Sequence, residues 1–215
     1  NYIRVIDYKS SARELDLAEV YYGLSLQMMT YLDVALEHVD ELLGFHADPA
    51  GLLYVHVHNP MIRPVEELSS QLLEDEIAKS YKMRGFLLEH PEVAEAMDVE
   101  IGSSSKIIPA AFRKDGSFTK RSRVLAPDDL QMMRSYVRTR HQMAGNAMLA
   151  GDTRVYPYKL KDKMPCQFCS YRSVCQFDQT DPAQQYRNYE MLDADASLEK
   201  MREEVVGDAE HTRET

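Results

Sequence analysis

The sequence predicts an α/β fold, and two observations predict it. Two stretches, Asn1–Ser11 and Leu52–His58, carry β-branched and aromatic residues in a strand-like period of two, each closed by turn-forming residues. Two longer stretches, Leu15–Leu43 and Pro127–Ala150, repeat apolar residues at helical spacing and are closed by Gly44 and Gly151. Strands separated by long helical connections suit a sheet covered by helices.

The first strand reads N-Y-I-R-V-I-D-Y-K-S-S, with Ser10 and Ser11 ending it. Side chains alternate across a strand, so Asp7 and Lys9 share a face and Tyr8 takes the other. A carboxylate can hold a hard divalent cation through oxygen. An ammonium one pleat away can orient a water or offset charge on a phosphate. The pair suits metal-assisted phosphodiester hydrolysis, and equally a surface ion pair. Because Asn1 already reads as the inside of a strand, further sequence upstream is expected.

In the first helical stretch, Val20, Leu24, Tyr31, Ala35 and Val39 form an apolar stripe. Gln27 falls within it, one turn before Tyr31, where a core-facing amide needs hydrogen-bond partners. Gln27 and Tyr31 are therefore expected either at the Asp7–Lys9 strand end or at a solvated edge. Asp48-Pro49-Ala50-Gly51 reads as a turn before the second strand. Tyr54, His56 and His58 share one face of that strand, as possible metal ligands or as the wetter side of the sheet.

From Pro64 to Met97 the pattern is helical in pieces with an acidic outer face. Lys106–Phe112 and Ser117–Val124 read as hairpin arms around Lys114-Asp115-Gly116, the second arm carrying Lys120, Arg121 and Arg123. Pro127-Asp128-Asp129 opens the second long helix, along which Arg134, Arg138 and His141 line one side. The net charge is −10, yet residues 101–177 hold 14 Lys and Arg against 5 Asp and Glu. That basic segment is expected to bind DNA through Lys120, Arg121, Arg123, Arg134 and Arg138, with a solubilising surface as the bland alternative.

All three cysteines lie in C-Q-F-C-S-Y-R-S-V-C, at Cys166, Cys169 and Cys175. The spacing is that of metal or cluster ligands, which normally number four. The fourth is expected either upstream or from a distant His such as His141. Three Cys without an export signal argue against a disulfide framework and for a reducing, cytoplasmic setting. No apolar run reaches the length of a membrane span, and no phosphate-binding G-x-x-x-x-G-K-[ST] motif is present. Beyond Asp178 the chain is acidic, with a short helix expected around Leu198–Val205.

Taken together, I-D-Y-K at Ile6–Lys9, Q-M-M-T-Y at Gln27–Tyr31 and the C-x-x-C-x5-C run resemble the RecB-like branch of the PD-(D/E)xK nuclease superfamily. Within it they are most similar to the C-terminal nuclease domains of AddB-type subunits of bacterial AddAB helicase-nucleases. The resemblance implies a restriction-endonuclease-like core, a mixed sheet flanked by helices, over residues 1–177, incomplete at its N-terminus and followed by an acidic tail over 178–215. It implies Mg²⁺ at Asp7 and catalytic roles for Asp7, Lys9, Gln27 and Tyr31. It further implies a 4Fe–4S cluster on Cys166, Cys169, Cys175 and a fourth Cys outside this chain. The implied activity is exonucleolytic cleavage of DNA, on the 5′-ended strand, beside an AddA-type partner during double-strand-break repair. The family's first metal-binding acid is absent here. The rival expectations are a CRISPR-associated iron–sulfur nuclease and a non-catalytic DNA-binding or scaffold module with structural Zn²⁺.

Overall fold

A computed structural model describes residues 1–58, 60 and 70–211. A four-stranded mixed sheet, in the order β1-β2-β3-β4, organises it. Strands β1 (Tyr2–Lys9) and β2 (Asp48–His56) are parallel, with Asp7 opposite Tyr54 and Lys9 opposite His56. Strand β3 (Arg84–Leu88) runs antiparallel to β2, and the short β4 (Val124–Leu125) is parallel to β3.

Strand β3 lies in the segment expected to be helical. Its second residue, Gly85, sits at φ +141, and a Cβ there would lie 1.9 Å from the Leu52 carbonyl oxygen. Only glycine lets β3 come this close to β2. The remainder of that segment forms α4 (Ser70–Ser80) and α5 (Pro91–Met97), while the start expected at Pro64 lies outside the described residues.

Both sheet faces are covered, which corrects the expectation of a wetter side on β2. Leu52 and Tyr54 point into the larger core, and Leu53 points into a smaller one with Leu87, Ala94, Ile108 and Ala110. Tyr54 is only 6% exposed, and half-buried polarity begins at His56. A strand buried on both faces reads as a continuous apolar run. Asp48–Gly51, expected as a turn, is the beginning of β2 itself.

The long helix expected over Leu15–Leu43 is three helices: α1 (Leu17–Tyr21), α2 (Gln27–Glu37) and α3 (Val39–Leu43). Asp16 caps α1 by accepting from Ala18 N, and Gly23 at φ +74 turns the chain before α2. The break changes the helical phase. The buried face of α2 is Met28, Met29, Leu32 and Asp33, so Gln27 and Tyr31 fall at an exposed edge instead of in the stripe.

Helix α6 (Pro127–Leu149) matches its expected span, with Leu130, Met133, Tyr136 and Val137 buried. The expected hairpin between β3 and β4 is an irregular loop, tied by isolated bridges at Ser104–Ala111 and Phe112–Phe118. Further on, β5 (Tyr158–Leu160) and β6 (Arg187–Tyr189) form a small parallel pair around α7 (Arg172–Cys175). The terminal helix α8 spans Ala194–His211, longer than expected, and places Leu198 and Met201 in the larger core beside α1 and α6. No helix among the described residues is long and apolar enough to cross a membrane.

Candidate active site

The sheet carries Asp7 and Lys9 to the end of β1, where α2 begins. Their side chains are 18% and 28% exposed, and Lys9 Nζ lies 2.8 Å from Asp7 Oδ2. Lys9 Nζ also donates to Gln27 Oε1 at 2.9 Å, and Gln27 Nε2 donates to the Tyr31 hydroxyl at 2.8 Å. Four residues singled out from the sequence thus form one chain of polar contacts, carried by β1 and the first turns of α2. The turn at Gly23 makes this possible, because α2 starts at Gln27 and presents Gln27 and Tyr31 one turn apart at the sheet end.

Sequence reasoning placed Tyr54 only on a strand face. Its ring lies beneath Lys9, with Nζ 5.9 Å from the ring centroid. The parallel register that pairs Tyr54 with Asp7 puts it there, and a register between distant strands is not visible in either strand alone. Direct contact with the Asp7 carboxylate raises the Lys9 ammonium above its ordinary value, against a smaller opposing effect of burial. Lys9 is accordingly a fixed positive charge near neutral pH. Burial raises the Tyr54 phenol, and Lys9 partly offsets this.

The donor chemistry fits a divalent cation. Asp7 Oδ2 is buried, and the Lys9 ammonium 2.8 Å away is the one partner given for it among the described residues. A buried carboxylate balanced by a single ammonium keeps lone pairs that a hard cation can take. No three His, Cys, Asp or Glu side chains among the described residues are set around one ion, so Asp7 would be one ligand of an incomplete set. His56 and His58 do not join it. Their rings stack at 3.8 Å, His56 Nε2 faces the Ser10 carbonyl at 3.3 Å, and His58 Nδ1 faces the His56 carbonyl at 3.1 Å.

The basic residues separate into two groups. Arg134 and Arg138 direct their Nε atoms to the two oxygens of the buried Asp33, at 2.9 and 2.5 Å. Arg123 pairs with Glu14, donates to the Leu15 and Gly85 carbonyls, and lies over the Phe86 ring at 4.3 Å. Lys120 and Arg121 are exposed, and no side-chain partner holds them among the described residues. His141 Nε2 contacts Thr30 Oγ1 at 2.8 Å.

Cys166, Cys169 and Cys175 are free thiols lining one cavity of about 320 Å³. Cys169 and Cys175 are exposed, and Tyr186 shares the wall. Burial, and then contact with Cys166, raises the Tyr186 hydroxyl. The thiols share a cavity without being drawn around a common point.

Residues 1–176 match the family model of the PD-(D/E)XK nuclease superfamily. Over 209 residues, 95% of the chain, the sequence is 46% identical to an ATP-dependent helicase/deoxyribonuclease subunit of Lysinibacillus sphaericus. It is 44% identical to proteins of the same name from Listeria welshimeri, over 93% of the chain, and from Bacillus licheniformis, over 97%. The chain spans 18% of the length of each of these relatives. With its polar chain at the end of β1 and a family match over most of its length, this chain belongs to the PD-(D/E)XK nuclease superfamily.

Proposed function

We propose that the chain is the nuclease part of a helicase-nuclease subunit, cleaving DNA phosphodiesters with the aid of Mg²⁺. One observation carries this reading: the contact chain Asp7–Lys9–Gln27–Tyr31 at the end of β1. Asp7 would hold the cation together with an acid from outside this chain. A cation bound there supplies positive charge at the reacting phosphate and lowers the pKa of a bound water. Lys9 stays protonated and either orients the attacking water or offsets charge growing on the phosphate oxygens. Gln27 holds the Lys9 ammonium in place and is itself held by the Tyr31 hydroxyl. Tyr31 is 48% exposed, which leaves its ring edge open to a substrate strand.

The relatives named as helicase/deoxyribonuclease subunits extend the proposal to the assembly. In it, this domain trims the 5′-ended strand at double-strand ends for recombinational repair, beside an AddA-type partner in the cytoplasm. Cys166, Cys169 and Cys175 would ligate a 4Fe–4S cluster with a fourth Cys from outside the chain, joining two distant parts of the subunit. Free thiols facing a shared cavity are the right donor chemistry for it. Lys120 and Arg121 would meet the substrate. Arg123, Arg134 and Arg138 would act on DNA only by leaving their internal partners.

The test uses the full-length subunit in its anaerobically purified complex. Cleavage of a labelled DNA end should require Mg²⁺ and fall about 10²–10³-fold in Lys9→Ala, while DNA binding stays within about twofold. Iron and sulfide should each approach about four per chain. Unchanged cleavage by Lys9→Ala removes Lys9 from the mechanism. Zinc in place of iron supports a structural role for the cysteines.

A further inference from the structure

Away from the Asp7–Lys9 end, the loop between α5 and β4 folds over the start of β3 and encloses a hollow of about 890 Å³. Among the described residues, seven Lys or Arg and one carboxylate, Glu14, line it. The fold employs two of those cations, since Lys79 pairs with Glu76 and Arg123 with Glu14. Among the described residues the five others make no ion pair with a carboxylate, although Asp115 lies near enough for its charge to interact with Arg113. Lys82 donates to the Ser105 carbonyl, while Arg84, Arg113, Lys120 and Arg121 are exposed and make no side-chain ion pair among the described residues. Like charges gathered in a concave wall repel each other and focus a positive potential, an arrangement that folding alone does not favour.

A second hollow of about 680 Å³ adjoins the first, sharing Glu14, Lys120 and Arg123 in its wall and continuing to Arg13. Arg13 lies close enough to Tyr54 for its charge to bear on the phenol beneath Lys9. The second hollow is charge-balanced, with Arg13, Lys120, Arg123 and Lys163 against Glu14, Asp16, Glu19 and Asp195, so the excess of positive charge lies in the bowl around Arg84 and Arg113. Among the described residues no aromatic ring lines the bowl, and the hydroxyl residues Ser103 and Ser104 do. Such a wall binds backbone charge and offers nothing on which bases stack. Several separate cations fit a polyanion better than one small anion.

We propose that this bowl is a second DNA contact, gripping the phosphodiester backbone of a strand whose scissile phosphate lies at Asp7 and Lys9. The inference rests on the nuclease reading and adds a grip distant from the reacting phosphate. It also adds Lys82, Arg84 and Arg113, which the sequence placed in an acidic segment or a hairpin turn, and it binds the strand without base preference.

The test uses the full-length complex carrying Lys9→Ala, so that the strand survives, titrated with a labelled oligo(dT) over a range of salt. Replacing Arg84, Arg113, Lys120 and Arg121 together by Gln should reduce the slope of log affinity against log salt by about 3, near 0.7 per lost phosphate contact. Arg84→Lys, Arg113→Lys and Arg121→Lys together should restore most of the slope, which separates lost charge from lost folding. Replacing the exposed Lys159 and Lys161 by Gln should leave it unchanged. An unchanged slope in the fourfold Gln variant overturns the proposal, as does an equal loss in the Lys159/Lys161 control. Saturable binding of inorganic phosphate, abolished by the fourfold variant while the strand slope persists, would make the bowl a small-anion site and also overturn it. Because binding is read without cleavage, an inactive wild type would refute the nuclease reading and leave this test standing.

Discussion

Helix α2 touches a carboxylate at each of two places, and the two are treated in opposite ways. On its buried side Asp33, 8% exposed, receives Arg134 on one oxygen and Arg138 on the other, both reaching across from α6. At its N-terminal end, Gln27 reaches Lys9, the neighbour of Asp7, and there the carboxylate has one lysine for a partner. In the first place two cations are consumed by one carboxylate. In the second, one ammonium is shared between the Asp7 carboxylate and the Gln27 amide oxygen. Charge on a helix therefore says little about ligands until its partner is known. Arg134 and Arg138 have the spacing of a DNA-facing stripe, yet their guanidinium groups are committed to Asp33.

Removing Asp33 is the strongest way to break this contrast. Asp33→Ala leaves Arg134, whose side chain is only 18% exposed, without its carboxylate and should lower unfolding stability by about 2 to 3 kcal/mol. Lys9→Ala should lower it less, by about 1 kcal/mol, because it removes one ion pair where Asp33→Ala removes two, and Lys9 and Asp7 are more exposed than Arg134 and Asp33. Urea denaturation of the full-length subunit measures both, and equal losses would show that Lys9 is as structural as Asp33. A finer test is Tyr31→Phe, which keeps the ring and removes only the hydroxyl that receives Gln27. Cleavage should fall about tenfold, the worth of one hydrogen bond, with stability within about 0.5 kcal/mol. Wild-type cleavage by Tyr31→Phe would detach Tyr31 from the site.

What was legible in the sequence was local. The alternation around Asp7 and Lys9 and the helix opened by Pro127-Asp128-Asp129 depend on neighbours in the chain, and the structure has both. What was not legible depends on partners far away. Strand β3 is five residues long, amid helical neighbours, and is a strand because Gly85 lets it pack against Leu52 and Leu53. The stripe drawn from Val20 to Val39 ran through Gly23, and once the chain turns there Gln27 and Tyr31 leave the core edge. The helix in the acidic terminal stretch reached further than its apolar residues suggested, since Ser197, Leu198 and Met201 become buried only against α1 and α6. The cationic bowl was hidden for the same reason, drawing Arg84 from a stretch whose overall charge is acidic.

Another side of α6, facing α1 and α8, is satisfied as well, and there the contrast can be read from pH alone. Tyr136 donates its hydroxyl to the Tyr21 carbonyl at 2.6 Å and receives Arg140 at 2.6 Å, while Arg140 also pairs with Glu204 of α8 at 3.0 Å. Burial first, and then the Glu204 carboxylate, push the Tyr21 phenol from its ordinary 10.0 up to about 12. The native state thus keeps a proton that the unfolded chain releases from about pH 10 upward. Over that range the unfolded state binds fewer protons than the native state, so stability falls as pH rises from about 10 to about 12. Below pH 10 both states hold the proton and the contribution is flat. Urea midpoints at pH 8, 10 and 11 should decline over the last interval, and Tyr21→Phe should decline less. An equal decline in the variant would mean that the phenol is not held neutral by this interface, and that α6 is less completely satisfied than its contacts with Glu204 and Asp33 imply.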